Sequence, residues 1–158
     1  MKFRTIARHG VIVASVMLGA LGVNVTAQEA GRDAIYSRFE EYSADTSLDK
    51  VREILDAFAQ HLKSNPTLRA LLISYGGKQS CRNEPLLRGR LATRYMSKMY
   101  EISTNRSTIR NGGYREDWTV ELWVGSPGAT PPSPTRTISR KRVMISGNCK
   151  LTALDASR

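Results

Sequence analysis

Histidine and cysteine are scarce in this chain of 158 residues, two of each. That scarcity excludes much of catalytic and metal chemistry at the outset. His9 stands in the N-terminal leader described below, which leaves His61 alone. No second histidine or nearby cysteine completes a metal-ligand set, and no Ser-His-Asp or Cys-His arrangement is legible. His61 falls at the polar boundary of a helical segment, where a surface or capping role is expected. No internal repeat is present. Acidic residues are also in deficit, 14 Asp+Glu against 24 Lys+Arg. The apolar run at the N-terminus, Val11 to Val25, falls short of the ~20 residues a membrane-spanning helix needs.

That run belongs to a leader. Lys2, Arg4 and Arg8 precede it, and Val25-Thr26-Ala27 offers a small-residue cleavage signal before Gln28. This is the layout of a secretory signal peptide over residues 1–27. An uncleaved N-terminal anchor is the other reading. No cysteine follows the cleavage point, so a lipoprotein anchor is not indicated. The expected destination is the periplasm or the medium, with no transmembrane anchor once the signal is removed.

Three basic and no acidic residues fall in the leader, so the rest of the chain carries 21 basic against 14 acidic residues. The excess is clustered at Lys78, Arg82, Arg88, Arg90, Arg94 and Lys98, and again at Arg136, Arg140, Lys141 and Arg142. Such a surface is drawn to polyanions; the plain alternative is a solvated basic face. Export makes nucleic acid an unexpected partner. The remaining 131 residues suffice for one domain with its own core. Its two cysteines, Cys81 and Cys149, suit a disulfide in an oxidising compartment. Closing a loop of that length is worth roughly 4 kcal/mol in the chain-entropy model. Free thiols or an intermolecular bridge are the alternatives.

Residues 28–38 are polar and expected to be loosely ordered. Phe39 and Tyr42 begin an edge strand or cap the core. Thr46 or Ser47 is a good N-cap, and Asp49 suits a first helical turn. Leu48, Val51, Leu55, Phe58 and Leu62 recur at three- and four-residue steps and mark an amphipathic helix, which Ser64-Asn65-Pro66 stops. Leu71, Leu72, Ile73 and Tyr75 form a short buried strand ending at Gly76-Gly77. A second helix runs from Asn83 to about Tyr100, with Pro85 in its first turn. Leu87, Leu91, Tyr95 and Met99 are expected to face the sheet. Thr108–Arg110 is a candidate strand edge and Asn111-Gly112-Gly113 a turn. Trp118 to Val124 alternates as a strong strand. GSPGATPPSPT then reads as an extended, semi-rigid connector, with a last short strand around Val143 and Ile145. The domain layout is therefore 28–38 flexible, 39–125 folded, and 126–158 a proline-rich linker with a C-terminal strand or tail. The fold class is α+β, helices on one face of a small sheet.

The segment KQSCRNEPLLRGR joins a strand end to a helix start. Arginine forks suit carboxylates and phosphates, and a helix N-terminus adds donors. Lys78, Arg82 and Arg88 are the candidate ligand-facing residues, with Cys81 holding the loop; a merely structural loop is the alternative. Gly76-Gly77, Gly112-Gly113 and Glu116-Asp117 are weak signals, common in ordinary turns. No cofactor or metal is indicated.

The order of elements resembles the OmpA C-terminal-like domain of Gram-negative envelopes, a βαβαβ peptidoglycan-binding fold. The likeness covers roughly Phe39 to Val124. LDKVREILDAFAQHLKSNP followed by LRALLISYGG resembles its first helix and second strand, and GGYRED with TVELWV its glycine turn and final strand. Arg88, seven residues before Tyr95-Met96, matches the family's second-helix arginine. The family's Thr-Asp after the second strand is here Gly77-Lys78. Its second arginine, before the last strand, is replaced around Asp117 to Thr119. The resemblance implies a two-layer βαβαβ sandwich, and a non-enzymatic envelope domain that binds peptidoglycan, another anionic wall polymer or an envelope protein. A purely structural or accessory envelope protein is the alternative. Intact-mass measurement on protein recovered from the envelope is expected to show a chain beginning at Gln28; one still beginning at Met1 contradicts the signal-peptide assignment.

Overall fold

A computed structural model of the protein describes residues 35–151. The signal peptide, its cleavage point and the polar segment up to residue 34 lie outside them, as do residues 152–158. Eight elements follow in order: strand β1 (Tyr36–Ser43), helix α1 (Leu48–Ser64), strands β2 (Arg69–Gly76) and β3 (Gln79–Arg82), helix α2 (Glu84–Tyr100), and strands β4 (Ser107–Tyr114), β5 (Thr119–Gly125) and β6 (Met144–Asn148). The main sheet has the order β1-β5-β2-β4, with β2 and β4 parallel and the other pairs antiparallel. Both helices lie over this sheet, which makes the domain an α+β two-layer sandwich. β3 and β6 form a second, two-stranded parallel sheet. Among the described residues no helix is long and apolar enough to cross a membrane.

Local chemistry explains the helix ends. The Ser47 hydroxyl accepts from the Lys50 backbone N–H and caps α1. The chain turns away at Asn65, just before Pro66, and Arg106 closes that end. One Arg106 Nη donates to the carbonyls of Leu62, Asn65 and Leu68 at 2.8, 3.0 and 2.9 Å. The Leu62 and Asn65 carbonyls also accept from the Asn65 and Leu68 backbone N–H groups, so the arginine adds a charged donor to the carbonyls at this helix end. The strand begins at Tyr36, whose register partner is Gly125, so the segment expected to be flexible to residue 38 is ordered from its last three residues onward by the β5 ladder.

The core is built on the alternation of the strands. Leu72, Val120 and Leu122 point to the helices and meet Leu55, Phe58, Leu62 and Met96, all fully buried. The α2 stripe differs from the sequence expectation. Leu87, Leu91 and Met99 are only half-buried, whereas Pro85, Gly89, Ala92 and Met96 lie against the sheet. The reason is distance. A Cβ on Gly89 would come within 2.5 Å of the Ile109 side chain, so the helix approaches by its smallest residues and the larger ones cover the flanks. Tyr95 remains buried and donates to Asp56 of α1 at 2.6 Å.

Asn111-Gly112-Gly113 is not a turn but part of β4. The register with β2 slips there, since Ser74 pairs with Asn111 and Tyr75 with Gly113, leaving Gly112 as a bulge. A Cβ on Gly112 would stand 2.4 Å from the Tyr75 ring. Tyr75 is fully buried on the outer face of the sheet with Leu71 and Ile73. The proline-rich stretch partly covers that face, so it is a strap rather than a spacer. Arg110 holds the Pro132 carbonyl at 2.9 Å, and the Thr135 N–H donates to the Tyr75 hydroxyl at 3.0 Å. Arg115 stacks 3.7 Å over the Tyr75 ring and bonds both the Thr135 hydroxyl, at 2.7 Å, and the buried Glu121, at 2.5 Å. Trp123 donates its indole N–H to the same carboxylate at 3.1 Å. Buried polar groups organised this way satisfy one another.

Gly112→Ala forces an overpacked contact with Tyr75 and is expected to cost about 1–3 kcal/mol in urea-induced unfolding. A loss below about 0.5 kcal/mol contradicts this account of the bulge.

Candidate functional site

Arg88, one of the three residues singled out from the sequence, sits in the second turn of α2 and reaches back to Glu84 in the first. Its Nε and Nη2 donate to Glu84 Oε1 at 2.9 and 2.6 Å. The other carboxylate oxygen accepts from the Ser80 hydroxyl of β3 at 2.7 Å. Glu84 is only 4% exposed and Ser80 3%. The guanidinium then lies 3.5 Å from the centre of the Trp118 ring, a cation–π geometry. Trp118 in turn meets Tyr42 edge-on, centroids 6.2 Å apart. Burial lowers the proton affinity of Arg88, while the Glu84 hydrogen bond and charge oppose that fall. Burial also raises the Tyr42 phenol well above its ordinary range, with Arg88 opposing, so this ring stays neutral.

Sequence spacing alone gives Glu84 and Arg88 as an i, i+4 pair, a partner that the expectation of Arg88 as a ligand fork leaves out of account. The structure commits most of the Arg88 fork inside the protein. Lys78 is exposed and pairs with Glu116 at 3.7 Å, and it lines a different depression from Arg88. Arg82 is exposed on β3 beside Asn148. The three cations therefore do not converge on one point.

Cys81 and Cys149 form the expected disulfide, Cα atoms 5.0 Å apart, within the range such bonds require. Its consequence reaches further than stability. The two residues after Cys149 are Lys150 and Leu151, and both line a cleft of about 280 Å³ together with Tyr42, Thr46, Leu48, Val51, Arg88, Leu91 and Trp118. No local sequence signal marks the return of the tail to this cleft; the cysteine pairing is the one usable clue. The cleft has an aromatic and aliphatic wall, two cationic groups and no carboxylate among its lining residues. It can hold an apolar body with an anionic group beside Lys150. A nucleophile–base pair is not part of it. Among the described residues no group of three His, Cys, Asp or Glu is placed to hold a metal. His61 is elsewhere, its ring 5.5 Å from that of Phe39.

Compared with known protein families, curated proteins and solved structures, the chain matches none.

Removing the Arg88 head leaves Glu84 buried with Ser80 alone. Because Arg88 is itself partly exposed, 18% at the side chain, the cost sits below that of a fully buried pair, about 2–3 kcal/mol. Arg88→Ala is expected to lower the melting temperature by roughly 5–10 °C in calorimetry. An unchanged melting temperature shows that Arg88 is free for other work.

Proposed function

We propose that this protein is an exported, non-enzymatic envelope module of divergent OmpA C-terminal-like type, and that it binds an anionic cell-wall component in the Trp118 cleft. The observation that carries the reading is the cleft itself: an aromatic ring with a guanidinium on its face, an exposed lysine in the same lining, and no acidic residue there. A wall peptide offers the complementary chemistry, an aliphatic body ending in carboxylate. The alternation of strand and helix through β1, α1, β2, α2 and the last strands is in keeping with the resemblance, and the disulfide is in keeping with an oxidising compartment. The family's acidic residue after the second strand and its second arginine have no counterpart here, so binding in this reading depends on stacking and charge rather than on that pair. A purely structural role is the second reading, favoured by the commitment of Arg88 to Glu84.

Sedimentation with purified cell wall separates the two. Lys150 is exposed, so Lys150→Glu is expected to leave the melting temperature unchanged and weaken retention about fivefold, the effect of about 1 kcal/mol. Retention by the unaltered protein should also fall as salt rises. If the unaltered protein is not retained, the binding reading fails and the structural one stands.

A further inference from the structure

The exposed face of α2 carries three cations in register: Arg90, Arg94 and Lys98, each four residues from the next. Four residues advance a helix by about 6 Å and return to the same face, so the three form a row. Like charges in this spacing destabilise a helix. In α1 the corresponding cations are paired, Lys50 with Glu53 and Arg52 with Asp49. On α2, no carboxylate among the described residues pairs with Arg90 or Arg94.

The row borders a groove of about 440 Å³ between α2 and the start of β4. Its lining includes Ile109, Thr93 and Thr104 and contains no acidic residue. The Thr93 hydroxyl is buried and meets no hydrogen-bond partner. A cationic rim, hydroxyls and an apolar patch therefore meet in one depression. This site is distinct from the Trp118 cleft. Arg90 follows Arg88 by two residues, about 200° around the helix, so the two point to different sides of α2.

We infer that the α2 groove binds phosphate groups, Arg90 and Arg94 supplying guanidinium forks and Lys98 a further positive charge. Guanidinium matches the phosphate oxygens with paired donors. The exposed Thr104 adds a hydroxyl, and the aliphatic stems with Ile109 accommodate whatever apolar body the phosphate carries. A free oligophosphate and a phospholipid headgroup share this chemistry. The reading is independent of the cleft: Lys150→Glu should leave it intact.

The test measures the purified protein against inorganic triphosphate by calorimetry, and against vesicles of phosphatidylglycerol or phosphatidylcholine by co-sedimentation. Two double variants are compared, Arg90→Gln with Arg94→Gln, and Lys141→Gln with Arg142→Gln, which remove equal charge. The α2 pair is expected to weaken binding about tenfold and to keep or slightly raise the melting temperature, because like-charge neighbours are removed. The second pair should weaken binding less than about threefold. Binding to triphosphate but not to phosphatidylglycerol assigns a soluble phosphate. Binding to phosphatidylglycerol and not phosphatidylcholine, without triphosphate binding, assigns a lipid headgroup. Failure to bind either probe overturns the inference, as do equal losses in the two variants, which report net charge alone. A fall of several degrees in melting temperature for the α2 pair also overturns it, since the row would then be structural.

Discussion

The buried Glu84–Arg88 pair is the constraint on which the rest of the candidate site depends. A carboxylate out of water must be paired and hydrogen-bonded, and Glu84 meets that demand with Arg88 on one oxygen and Ser80 on the other. Each partner fixes a different part of the fold. Ser80 brings in β3 and, through β3, the small sheet with β6. Arg88 lies over the ring of Trp118, the residue just before β5, and Trp118 meets Tyr42 of β1 edge-to-face. One charge pair thus links α2, both sheets and the wall of the cleft.

The disulfide completes this arrangement from the other side. Cys81 lies between Ser80 and Arg82, one residue from the hydroxyl that holds Glu84, and its partner Cys149 delivers Lys150 and Leu151 to the cleft. The same short strand therefore orients the buried carboxylate and anchors the tail. On the opposite face of the sheet a separate polar network, Arg115 with Glu121, Tyr75 and Thr135, fastens the proline-rich strap. The two faces use one device: an arginine placed over an aromatic ring with donors on a buried carboxylate.

Much of the architecture was legible because it follows from periodicity. The α1 stripe, the Ser47 cap, the Pro66 stop and the alternation through Val120, Leu122 and Val124 are local signals, and the elements stand where those signals put them. The cysteine pairing followed from count and compartment. What was not legible is long-range. Gly112-Gly113 reads locally as a turn, but the space demanded by Tyr75, over thirty residues earlier, makes it a bulge. The face of α2 that meets the sheet was set by how closely the helix can approach, which favours Gly89 over Leu87 and Leu91. A proline-rich stretch looks the same in sequence whether it spans open solvent or lies across a sheet; only Arg110 and Arg115 decide it. At the site, residue type signalled charge at Arg88 correctly, but the partner that uses that charge is a glutamate one turn back rather than a ligand.

A double-mutant cycle on unfolding free energy tests this account most directly, with Glu84→Gln and Arg88→Met made singly and together. If the pair organises the site, each single change destabilises the protein and the two are coupled by about 2 kcal/mol. Additive effects, with coupling below about 0.5 kcal/mol, contradict the account and return Arg88 to the surface as a free cation.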